Sequence, residues 1–404
     1  MSNGSLHILI FQYGDFAEAY RRFAEGGPET YGYQCYTVDY VSALSDEHNV
    51  TVIVIGGEAP EQELEPSLRT IGIDEDTAWS SRLAAWLSDR IDRVDRFVCR
   101  TPNPHALRWA ASHAEATLPI FADLFSRTRP FSRACLRSMW MIRRLRKALV
   151  ACQPTCVANH NLVASQSIRL LGVTDRAIVP WDWPRIEPCR ARTAEVARCG
   201  AFRLFYAGAL SEPKGVGDTI RALAILNDQG SNVALSLAGP GDTDRWQQFA
   251  QSLGVADRVY IMGLLPYTTV REQMSKHDAV VVPSRHDYAE GLPNTIFEAL
   301  ASGSPLIVSD HPAFKGRFED DWDAIEFRAG NAHSLASGLR RLMDDDGLYD
   351  RLRANSPAAL HNLYVGVEWR YLLDRFLSDP CNRADWVRPL SLEEVLATRA
   401  KTND

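Results

Sequence analysis

Residues 279–310 are predicted to form a strand, a loop, a helix and a strand, and this order restricts the fold more than any other feature of the chain. The first strand covers Ala279-Val280-Val281-Val282-Pro283-Ser284 and the second Pro305-Leu306-Ile307-Val308-Ser309-Asp310. Both are short and predominantly apolar, which is typical of strands buried on both faces of a parallel sheet. Gly303 is a natural stop for the helix between them. The segment therefore predicts a parallel α/β sheet.

Short apolar strands alternate with helical segments twice along the chain. In the first half the predicted strands cover residues 6–12, 50–56, 96–100, 118–122 and 156–158, and in the second half residues 202–207, 233–238, 259–262, 279–283 and 305–309. A chain of 404 residues exceeds what one hydrophobic core organises, and 46% apolar residues can build two cores. The pattern predicts an α/β protein with two Rossmann-like, doubly wound parallel sheets.

Two carboxylates flank the start of the helix in the 279–310 segment. Glu290 lies on the loop after the first strand, at the edge where open α/β sheets bind ligands, and Glu298 lies inside the helix beside the same crevice. The backbone amides around residues 293–296 form a helix amino terminus, which attracts phosphate groups. This arrangement is typical of a nucleotide-sugar pocket. A surface helix with two solvated glutamates is the alternative.

The segment resembles the donor site of family-4 glycosyltransferases, in which two glutamates form an E-x7-E signature. Its flanking elements follow in that family's order: Pro283-Ser284-Arg285, Glu290-Gly291-Leu292-Pro293-Asn294, Glu298-Ala299-Leu300-Ala301-Ser302-Gly303 and Ser309-Asp310-His311-Pro312. The resemblance implies the GT-B fold, with two Rossmann-like domains facing each other across a cleft, and a retaining reaction. It also implies that Glu298 binds the ribose hydroxyls and Glu290 contacts the donor sugar, since a carboxylate accepts two hydroxyl donors. The predicted donor-binding residues at the helix start are Leu292, Asn294 and Thr295.

A second element of that family covers residues 202–215, where an apolar strand runs into a turn with Gly208 and then reaches Lys214. A leaving diphosphate carries about two negative charges, so a fixed cation beside it lowers the barrier. We predict this catalytic role for Lys214 and donor binding for Gly208. In the commoner family pattern an Arg follows the glycine, whereas Ala209 stands here. Arg285 is the predicted replacement, with an ordinary solvated loop Arg as the alternative.

A third resemblance covers residues 237–242, with the sequence Leu-Ala-Gly-Pro-Gly-Asp. In the same family a comparable strand end lies beside the nucleotide, so Gly239 is a predicted donor-binding residue. A single G-x-G is weak support for a nucleotide site, and a tight turn is the alternative.

Two places in the first half are predicted on the acceptor side. Gly26 and Gly27 precede a helix that is predicted to begin at Pro28, much as related enzymes place a flexible loop beside the acceptor or the phosphates. Arg100 ends a strand where this family often has a histidine facing the reaction centre, and His105 is predicted in the following loop. An ordinary surface histidine is the alternative for His105.

Three prolines and two tryptophans in residues 179–188 interrupt any regular element and indicate a domain boundary. We predict an acceptor-side domain over residues 1–183 and a nucleotide-sugar-binding domain over residues 184–370. The resemblance implies that residues 371–404 cross back to the first domain.

Composition argues against several other classes of protein. No run of about eighteen apolar residues could span a membrane, and the amino terminus lacks the pattern of a signal peptide. The eight cysteines are scattered without a C-x-x-C pair, which favours reduced thiols and a cytoplasmic protein. The acidic run Asp344-Asp345-Asp346 follows an amphipathic stretch and is predicted as a solvated helix end. We therefore expect neither a metal site nor a cofactor.

One region contrasts with the net charge of −7, because residues 124–174 contain no Asp or Glu. Its basic residues are Arg127, Arg129, Arg133, Arg137, Arg143, Arg144, Arg146, Lys147 and Arg169. The apolar residues among them are predicted to pack into the core from one helix face: Phe131, Leu136, Met139, Trp140, Ile142 and Leu145. Residues 127–147 are predicted to contact an anionic membrane or to receive an anionic acceptor, with a solvated face as the alternative. Because the whole protein is acidic, we expect no nucleic-acid binding.

These features and the family resemblance predict a metal-independent glycosyltransferase that moves a sugar from a nucleoside-diphosphate sugar to a hydroxyl group, and the resemblance alone implies that the reaction is retaining. The expected acceptor is a glycan, a lipid-linked molecule or a small molecule, as in polysaccharide or glycolipid biosynthesis. The expected location is the cytoplasm, with peripheral contact at the inner face of the membrane. Two alternatives stay open. A GT-B sugar-nucleotide epimerase would need acid and base residues from both domains, and a nucleotide-sugar-binding module without turnover would fit Ala209.

Overall fold

A computed structural model of the chain describes residues 4–57, 61–125, 133–188, 200–288, 290–381, 383 and 385–402. These residues form two compact units. The first contains Tyr33–Pro184 together with the chain up to Glu29 and from Val365 onward, and the second contains Thr30–Gly32 and Arg185–Tyr364. The basic residues Arg127 and Arg129 lie outside the described residues, as do the side chains of Arg133 and Arg137.

The first unit is built on an eight-stranded sheet. In chain order the strands are β1 (His7–Tyr13), β2 (Asn49–Ile55), β3 (Gln62–Glu65), β4 (Leu68–Ile73), β5 (Val94–Cys99), β6 (Ala114–Phe121), β7 (Val157–His160) and β8 (Ile178–Trp181). They lie in the order β3-β4-β2-β1-β5-β6-β7-β8, and only the pair β3 and β4 is antiparallel among the described strands. The strand order therefore reverses between β1 and β5.

The second unit is built on a six-stranded sheet whose paired strands are all parallel in the described residues. Its strands are β9 (Phe202–Ala207), β10 (Val233–Ala238), β11 (Val259–Gly263), β12 (Ala279–Val282), β13 (Leu306–Ser309) and β14 (Ile325–Phe327). They lie in the order β11-β10-β9-β12-β13-β14. Here the strand order reverses between β9 and β12. The predicted pair of α/β units is confirmed.

Helices connect the strands of both units. They are α1 (Phe16–Ala24), α2 (Gln34–Ser45), α3 (Glu75–Ala78), α4 (Leu83–Ser88), α5 (Pro104–His113), α6 (Arg133–Cys152), α7 (Leu162–Ser167), α8 (Val216–Asp228), α9 (Thr243–Ser252), α10 (Tyr267–Lys276), α11 (Asn294–Ser302), α12 (Ala332–Asp344), α13 (Asp346–Leu363), α14 (Trp369–Ser378) and α15 (Leu392–Thr402). Short 3-10 turns cover Ile168–Leu171, Asp175–Ala177 and Ala256–Arg258. None of these helices has both the length and the apolar composition needed to cross a bilayer.

Alternating side chains along β1 show why the first sheet is covered on both faces. Leu9 and Phe11 belong to one buried cluster, whereas Ile8 and Ile10 belong to another. Successive residues of a strand point to opposite faces, so each face of the sheet has its own core. Strands buried in this way are continuous apolar runs, which is why the sequence revealed them.

Strand β8 corrects the prediction that residues 179–188 contain no regular element. It pairs with β7 in parallel and places Pro180 opposite Asn159. Proline is tolerated because β8 is the last strand of the sheet, where a missing amide leaves no ladder bond unmade on the open side. Strands β3, β4 and β14 were not predicted either.

The start of α2 corrects a second prediction. The helix begins at Gln34, not at Pro28, and Tyr33 precedes it in the left-handed region with φ of 68°. The carboxylate of Glu29 accepts a hydrogen bond from the Cys35 amide at 2.7 Å. Glu29 thus satisfies an amide at the helix start from outside the helix, as a capping side chain does.

Candidate active site

The two central loops of the second unit follow β9 and β12, the strands between which the sheet order reverses. Lys214 lies on the first loop and Glu290 on the second. Their side chains form an ion pair with 2.6 Å between Nζ and Oε2, at only 16% and 9% exposure. Open α/β sheets bind ligands at this topological position. The structure therefore brings the two predicted catalytic residues together.

Several hydrogen bonds hold this ion pair in place. The hydroxyl of Ser284 donates to Glu290 Oε2 at 2.7 Å, and the hydroxyl of Ser309 donates to the Ser284 carbonyl at 2.6 Å. The ring of Tyr288 lies 4.6 Å from Lys214 Nζ, close enough for a cation–π contact. Both charges are therefore fixed in position. Ser284, Ser309 and Tyr288 were not predicted as site residues, although Ser284 and Ser309 lie in flanking elements of the family pattern.

A histidine lies beneath the Glu290 loop. His311 is 1% exposed, its Nδ1 accepts from the Ala313 amide at 3.1 Å, and its Nε2 lies 3.1 Å from the Tyr288 carbonyl. Nδ1 is thus an acceptor, which makes Nε2 the donor to the carbonyl. Burial lowers the pKa of His311. The neutral ring supports the backbone beside Lys214, a role that was not predicted although His311 lies in one of the flanking family elements.

The glycines after β9 and β10 let two backbone turns touch. Gly239 has φ of 142°, and a Cβ built on it would lie 1.9 Å from the carbonyl oxygen of Gly208. Gly208 has φ of 150°, and its amide donates to the Ala238 carbonyl at 2.9 Å. Only glycine tolerates this combination of backbone angles and approach. Both predicted glycines therefore shape the floor of the site through the backbone.

Ala209 stands where the family resemblance implies an Arg. Its carbonyl accepts a hydrogen bond from the Tyr206 hydroxyl at 2.7 Å, so the turn after β9 is held from below. Tyr206 is buried, and the same burial raises the pKa of its hydroxyl. This backbone contact does not replace the missing cation.

Arg285, the predicted replacement, is engaged elsewhere. Its guanidinium forms a two-pronged contact with Asp218, at 2.6 and 2.7 Å, and lies 2.8 Å from Glu212. The hydrogen bond to Asp218 raises the pKa of Arg285. Asp218 is 2% exposed, so its charge requires a partner. The structure thus gives Arg285 a role in anchoring α8, and its role beside a diphosphate stays a prediction.

The start of α11 completes the site. Pro293 precedes the helix without a side-chain cap, and the helix begins with Asn294. The Thr295 hydroxyl donates to the Ala207 carbonyl at 3.3 Å, which joins the helix start to the end of β9. Leu292 is 3% exposed and anchors the preceding turn in the core. The first amides of a helix lack intrahelical partners, and the helix dipole favours an anion there.

Glu298 lies in the second turn of α11 and is 5% exposed. A Cβ built on Gly32 would lie 3.0 Å from its Oε1, and 3.0 Å from the ring of Tyr267. Gly32 therefore leaves room beside the predicted ribose-binding carboxylate. The sequence drew attention to Gly26 and Gly27 instead, because the helix start was predicted too early.

The predicted acceptor-side residues lie in the first unit. Arg100 follows β5, donates to Gln12 Oε1 at 2.6 Å and covers the ring of Trp369 at 5.0 Å. A Cβ on Gly26 would meet nothing within 4 Å, whereas one on Gly27 would lie 2.4 Å from Arg22 Cγ. Gly26 is thus open to solvent, and Gly27 is in close contact with α1.

His105 lies in α5 and not in a loop, which corrects the prediction. The Asn103 side chain accepts from the His105 and Ala106 amides and caps the helix, so the helix begins at Pro104. His105 is 8% exposed and its Nε2 accepts from Arg144 at 2.5 Å. Burial first, and then the charge of Arg144, lowers the pKa of His105. These contacts make it a neutral packing residue.

One carboxylate of the first unit was not predicted. Asp123 follows β6, whose neighbour β5 ends at Cys99, and burial raises the pKa of Asp123 to about 6. The side-chain amide of Asn159 donates to its carbonyl oxygen at 2.9 Å. Asp123 is therefore held near the sheet edge where β1 also ends. Tyr13 lies at the end of β1, and its pKa is raised by burial and in part by the charge of Asp123.

Comparison with known proteins agrees with the geometry of the second unit. Residues 192–359, which include the site from Gly208 to His311, match the family Glycosyl transferases group 1. Solved GT-B glycosyltransferases superpose on nearly the whole chain, so the protein has the GT-B fold that the sequence predicted.

Particular relatives are similar to the chain at moderate identity. The alpha-D-kanosaminyltransferase of Streptomyces kanamyceticus is 29% identical over 164 residues, which are 40% of this chain and 42% of that protein. Sucrose-phosphate synthase from Thermosynechococcus elongatus aligns with a TM-score of 0.67 at 16% identity, covering 93% of this chain and 100% of that chain. HepE of Anabaena in complex with UDP aligns with a TM-score of 0.61 at 13% identity, covering 98% and 99%. The chain spans half or less of the length of the first curated relatives.

Proposed function

We propose that the protein is a retaining family-4 glycosyltransferase that transfers a sugar from a nucleoside-diphosphate sugar to an acceptor hydroxyl. The observation that carries this proposal is the buried pair of Lys214 and Glu290 at the strand-order reversal, next to the start of α11. A cation and a helix terminus side by side suit a diphosphate, and the adjacent carboxylate suits sugar hydroxyls.

Each residue then has a separate task. Glu298 accepts hydrogen bonds from the ribose, Glu290 contacts the donor sugar, and Lys214 neutralises the diphosphate as it leaves. The bond between the anomeric carbon and the diphosphate oxygen breaks, and the acceptor oxygen forms the new bond on the same face of the sugar. The departing diphosphate takes the acceptor proton. Charge stabilisation of the leaving group supplies most of the catalysis in this scheme.

Donor binding can be tested without knowledge of the acceptor. A ligand at about a hundred times its dissociation constant adds about 2.7 kcal/mol to the free energy of unfolding. We expect one nucleotide sugar from a panel, with a UDP sugar as the first choice because HepE was solved with UDP, to raise the melting midpoint of the protein. The Glu298→Ala variant should lose this shift. A shift of equal size in that variant would contradict the assigned donor site.

Leaving-group stabilisation is assigned to protein groups, so activity should persist when a chelator removes divalent ions. The described residues contain no cluster of three His, Cys, Asp or Glu side chains that could hold a metal ion. If chelation abolished turnover and magnesium or manganese restored it, a metal ion would take the place of the Arg that Ala209 replaces.

A binding module without turnover is the second candidate, because Ala209 stands in the usual Arg position and Arg285 is held by Asp218. Transfer or hydrolysis of a labelled nucleotide sugar by the pure protein separates the two functions. For the transferase we propose a glycan, lipid-linked or small-molecule acceptor and a cytoplasmic location. The five described free cysteines, which include Cys35 and Cys381, are compatible with a reducing compartment.

A further inference from the structure

Helix α6 presents an unusual surface in the first unit. It covers Arg133–Cys152 and contains no acidic residue. The described part of its exposed face includes the apolar side chains of Met139, Trp140 and Val150, which are 52%, 54% and 71% exposed. Large apolar side chains at this exposure are uncommon on a surface that only meets water, particularly when they lie together.

Helix α6 has apolar side chains on its exposed face as well as on its buried face. Leu145, Ala148 and Leu149 are buried and attach it to the core. The prediction that Met139 and Trp140 also pack into the core is wrong. At about 100° per residue, both fall on the side opposite Ala148 and Leu149.

Basic residues share that outer face. Arg143, Arg146 and Lys147 are exposed, and each lies three or four residues from Met139, Trp140 or Val150. Side chains at this spacing are neighbours on a helix surface. We call the set of Met139, Trp140, Arg143, Arg146, Lys147 and Val150 the outer face of α6.

Neighbouring elements extend the positive charge. Arg144 covers the Trp140 ring at 4.3 Å and orients it from the side. Burial first, and then the charge of Arg108, which is exposed on the adjacent α5, lowers the pKa of Arg144. On the 3-10 turn that also packs against α6, Arg169 is paired with Asp175 at 2.6 Å. This face is positively charged although the net charge of the whole protein is −7.

We propose that the outer face of α6 is a docking surface for a bilayer that contains anionic lipids. The cations of Arg143, Arg146 and Lys147 contact headgroup phosphates, while Trp140 and Met139 enter the boundary between headgroups and acyl chains. An interfacial helix needs this combination of a cationic rim and an apolar ridge. The charge complementarity holds locally although the whole protein is acidic. This inference rests on α6 and is independent of sugar transfer.

The decisive experiment uses the full chain and vesicle cosedimentation. We expect binding to vesicles in which about a third of the lipid is phosphatidylglycerol, weak binding to pure phosphatidylcholine, and release as salt rises. Each basic residue near an anionic surface contributes about fivefold in affinity, so Arg143→Glu, Arg146→Glu and Lys147→Glu together should lower the partition coefficient about a hundredfold. Arg144 is left intact because it contacts His105.

A matched charge control lies elsewhere on the surface. Lys315, Arg328 and Arg388 are exposed, and their change to Glu alters the net charge by the same amount. This control should keep its partition coefficient within about threefold, because only charges within a Debye length of the bilayer contribute. Equal losses in both triple variants would overturn the proposal, since binding would then follow net charge alone.

Insertion of Trp140 into the bilayer can be tested against a second tryptophan of similar exposure. Trp140 and Trp322 are 54% and 51% exposed. Trp140→Ser should lower binding to the anionic vesicles about tenfold, and Trp322→Ser should not change it. Unchanged binding of the Trp140→Ser variant would exclude insertion. If the α6 triple variant fails to fold, Arg143→Gln with Lys147→Gln keeps the test, with an expected loss of about tenfold or more.

Two competitors distinguish the source of the anion. Soluble glycerol phosphate at millimolar concentration should leave vesicle binding unchanged, whereas release would identify a small phosphate ligand instead of a bilayer. Duplex DNA at the same salt concentration should bind weakly. Equal affinity for DNA and anionic vesicles would overturn the lipid assignment, because a bilayer-specific face requires the contribution of Trp140.

Discussion

The strand-order reversals of the two sheets have the same topology but carry different chemistry. Between β9 and β12 the structure places a buried ion pair, Lys214 with Glu290, above glycine turns that touch through their backbones. Between β1 and β5 it places Arg100 against the neutral Gln12, with the raised-pKa carboxyl of Asp123 near the same edge. One edge is built from fixed opposite charges and the other from adaptable polar and aromatic groups.

The match to the family Glycosyl transferases group 1 lies within one of the two units. It covers residues 192–359, which lie in the second unit and exclude the reversal between β1 and β5. Under the proposed function, the edge with fixed charges stabilises the departing diphosphate. Under the same proposal, the edge of the first unit binds the acceptor.

The largest contrast should appear between an alanine in the touching glycine turns of the second unit and an alanine at an open glycine of the first unit. Gly239→Ala should lower the free energy of unfolding by about 3 kcal/mol or more, because its Cβ would lie 1.9 Å from the Gly208 carbonyl at φ of 142°. Gly26→Ala should cost only about 1 kcal/mol, since φ is 75° and no atom lies within 4 Å. Denaturant titration of both variants measures the difference. Equal losses of unfolding free energy in the two variants would show that the backbone contact of Gly239 does not determine the cost of its substitution.

The next effect concerns turnover. Lys214→Ala should lower kcat about a hundredfold at saturating donor, with a smaller change in nucleoside affinity, because the cation acts mainly on the developing leaving group. Lys276→Ala is a suitable control, since Lys276 forms an exposed ion pair with Glu272 in the same unit. Full turnover by the Lys214→Ala variant would remove the charge pair from the chemistry.

Arg285 tests whether a paired charge still assists the diphosphate. Arg285→Met should lower the free energy of unfolding by about 2 to 3 kcal/mol, because it deprives the buried Asp218 of its two-pronged partner and leaves Arg221 at 3.1 Å. The double variant with Asp218→Asn should regain most of that stability. If the double variant were stable but turned over tenfold more slowly, Arg285 would act on the donor as well as on α8.

The smallest predicted effect concerns the first unit and depends on pH. The pKa of Asp123 is about 6 in the folded protein and about 4 in an unfolded chain. Between these values the folded state keeps a proton that the unfolded state has released, so this group lowers stability as pH rises through the window. Asp123→Asn should therefore raise the free energy of unfolding by about 1 to 2 kcal/mol at pH 7.5, and by nothing at pH 4.

Unfolding of both proteins at the two pH values measures this gain. A gain of the same size at pH 4 would attribute the effect to packing of the amide. Loss of acceptor use by the variant, with donor binding retained, would in addition connect Asp123 with the acceptor edge.

The strands that are buried on both faces could be predicted from the sequence. Strands β9 and β10 begin and end at the predicted residues, because their apolar runs are bounded by glycine turns. The E-x7-E segment identified Glu290 and Glu298 for the same reason, since strand, loop and helix are local features. The predicted start of α2 failed because Glu29 caps it from outside the helix.

Other parts of the site depend on contacts between distant residues. Ser309 supports Ser284 across 25 positions, and Asp218 holds Arg285 across 67 positions. No periodicity encodes such pairs. The exposure of Trp140 could not be predicted from the sequence either, because an apolar side chain in an amphipathic helix is expected to face the core.

The discontinuity of the first unit has a consequence for how the chain is made. Its core includes Trp369, Leu373 and Phe376 of α14, and the Asp182 amide donates to the Val367 carbonyl. A ribosome releases these residues after the whole second unit, so part of one face of the first sheet stays uncovered until α14 has emerged. The second unit is contiguous apart from Thr30–Gly32 and has its whole sequence earlier. Assembly during translation should therefore run against the usual order, with the later unit compact before the earlier one.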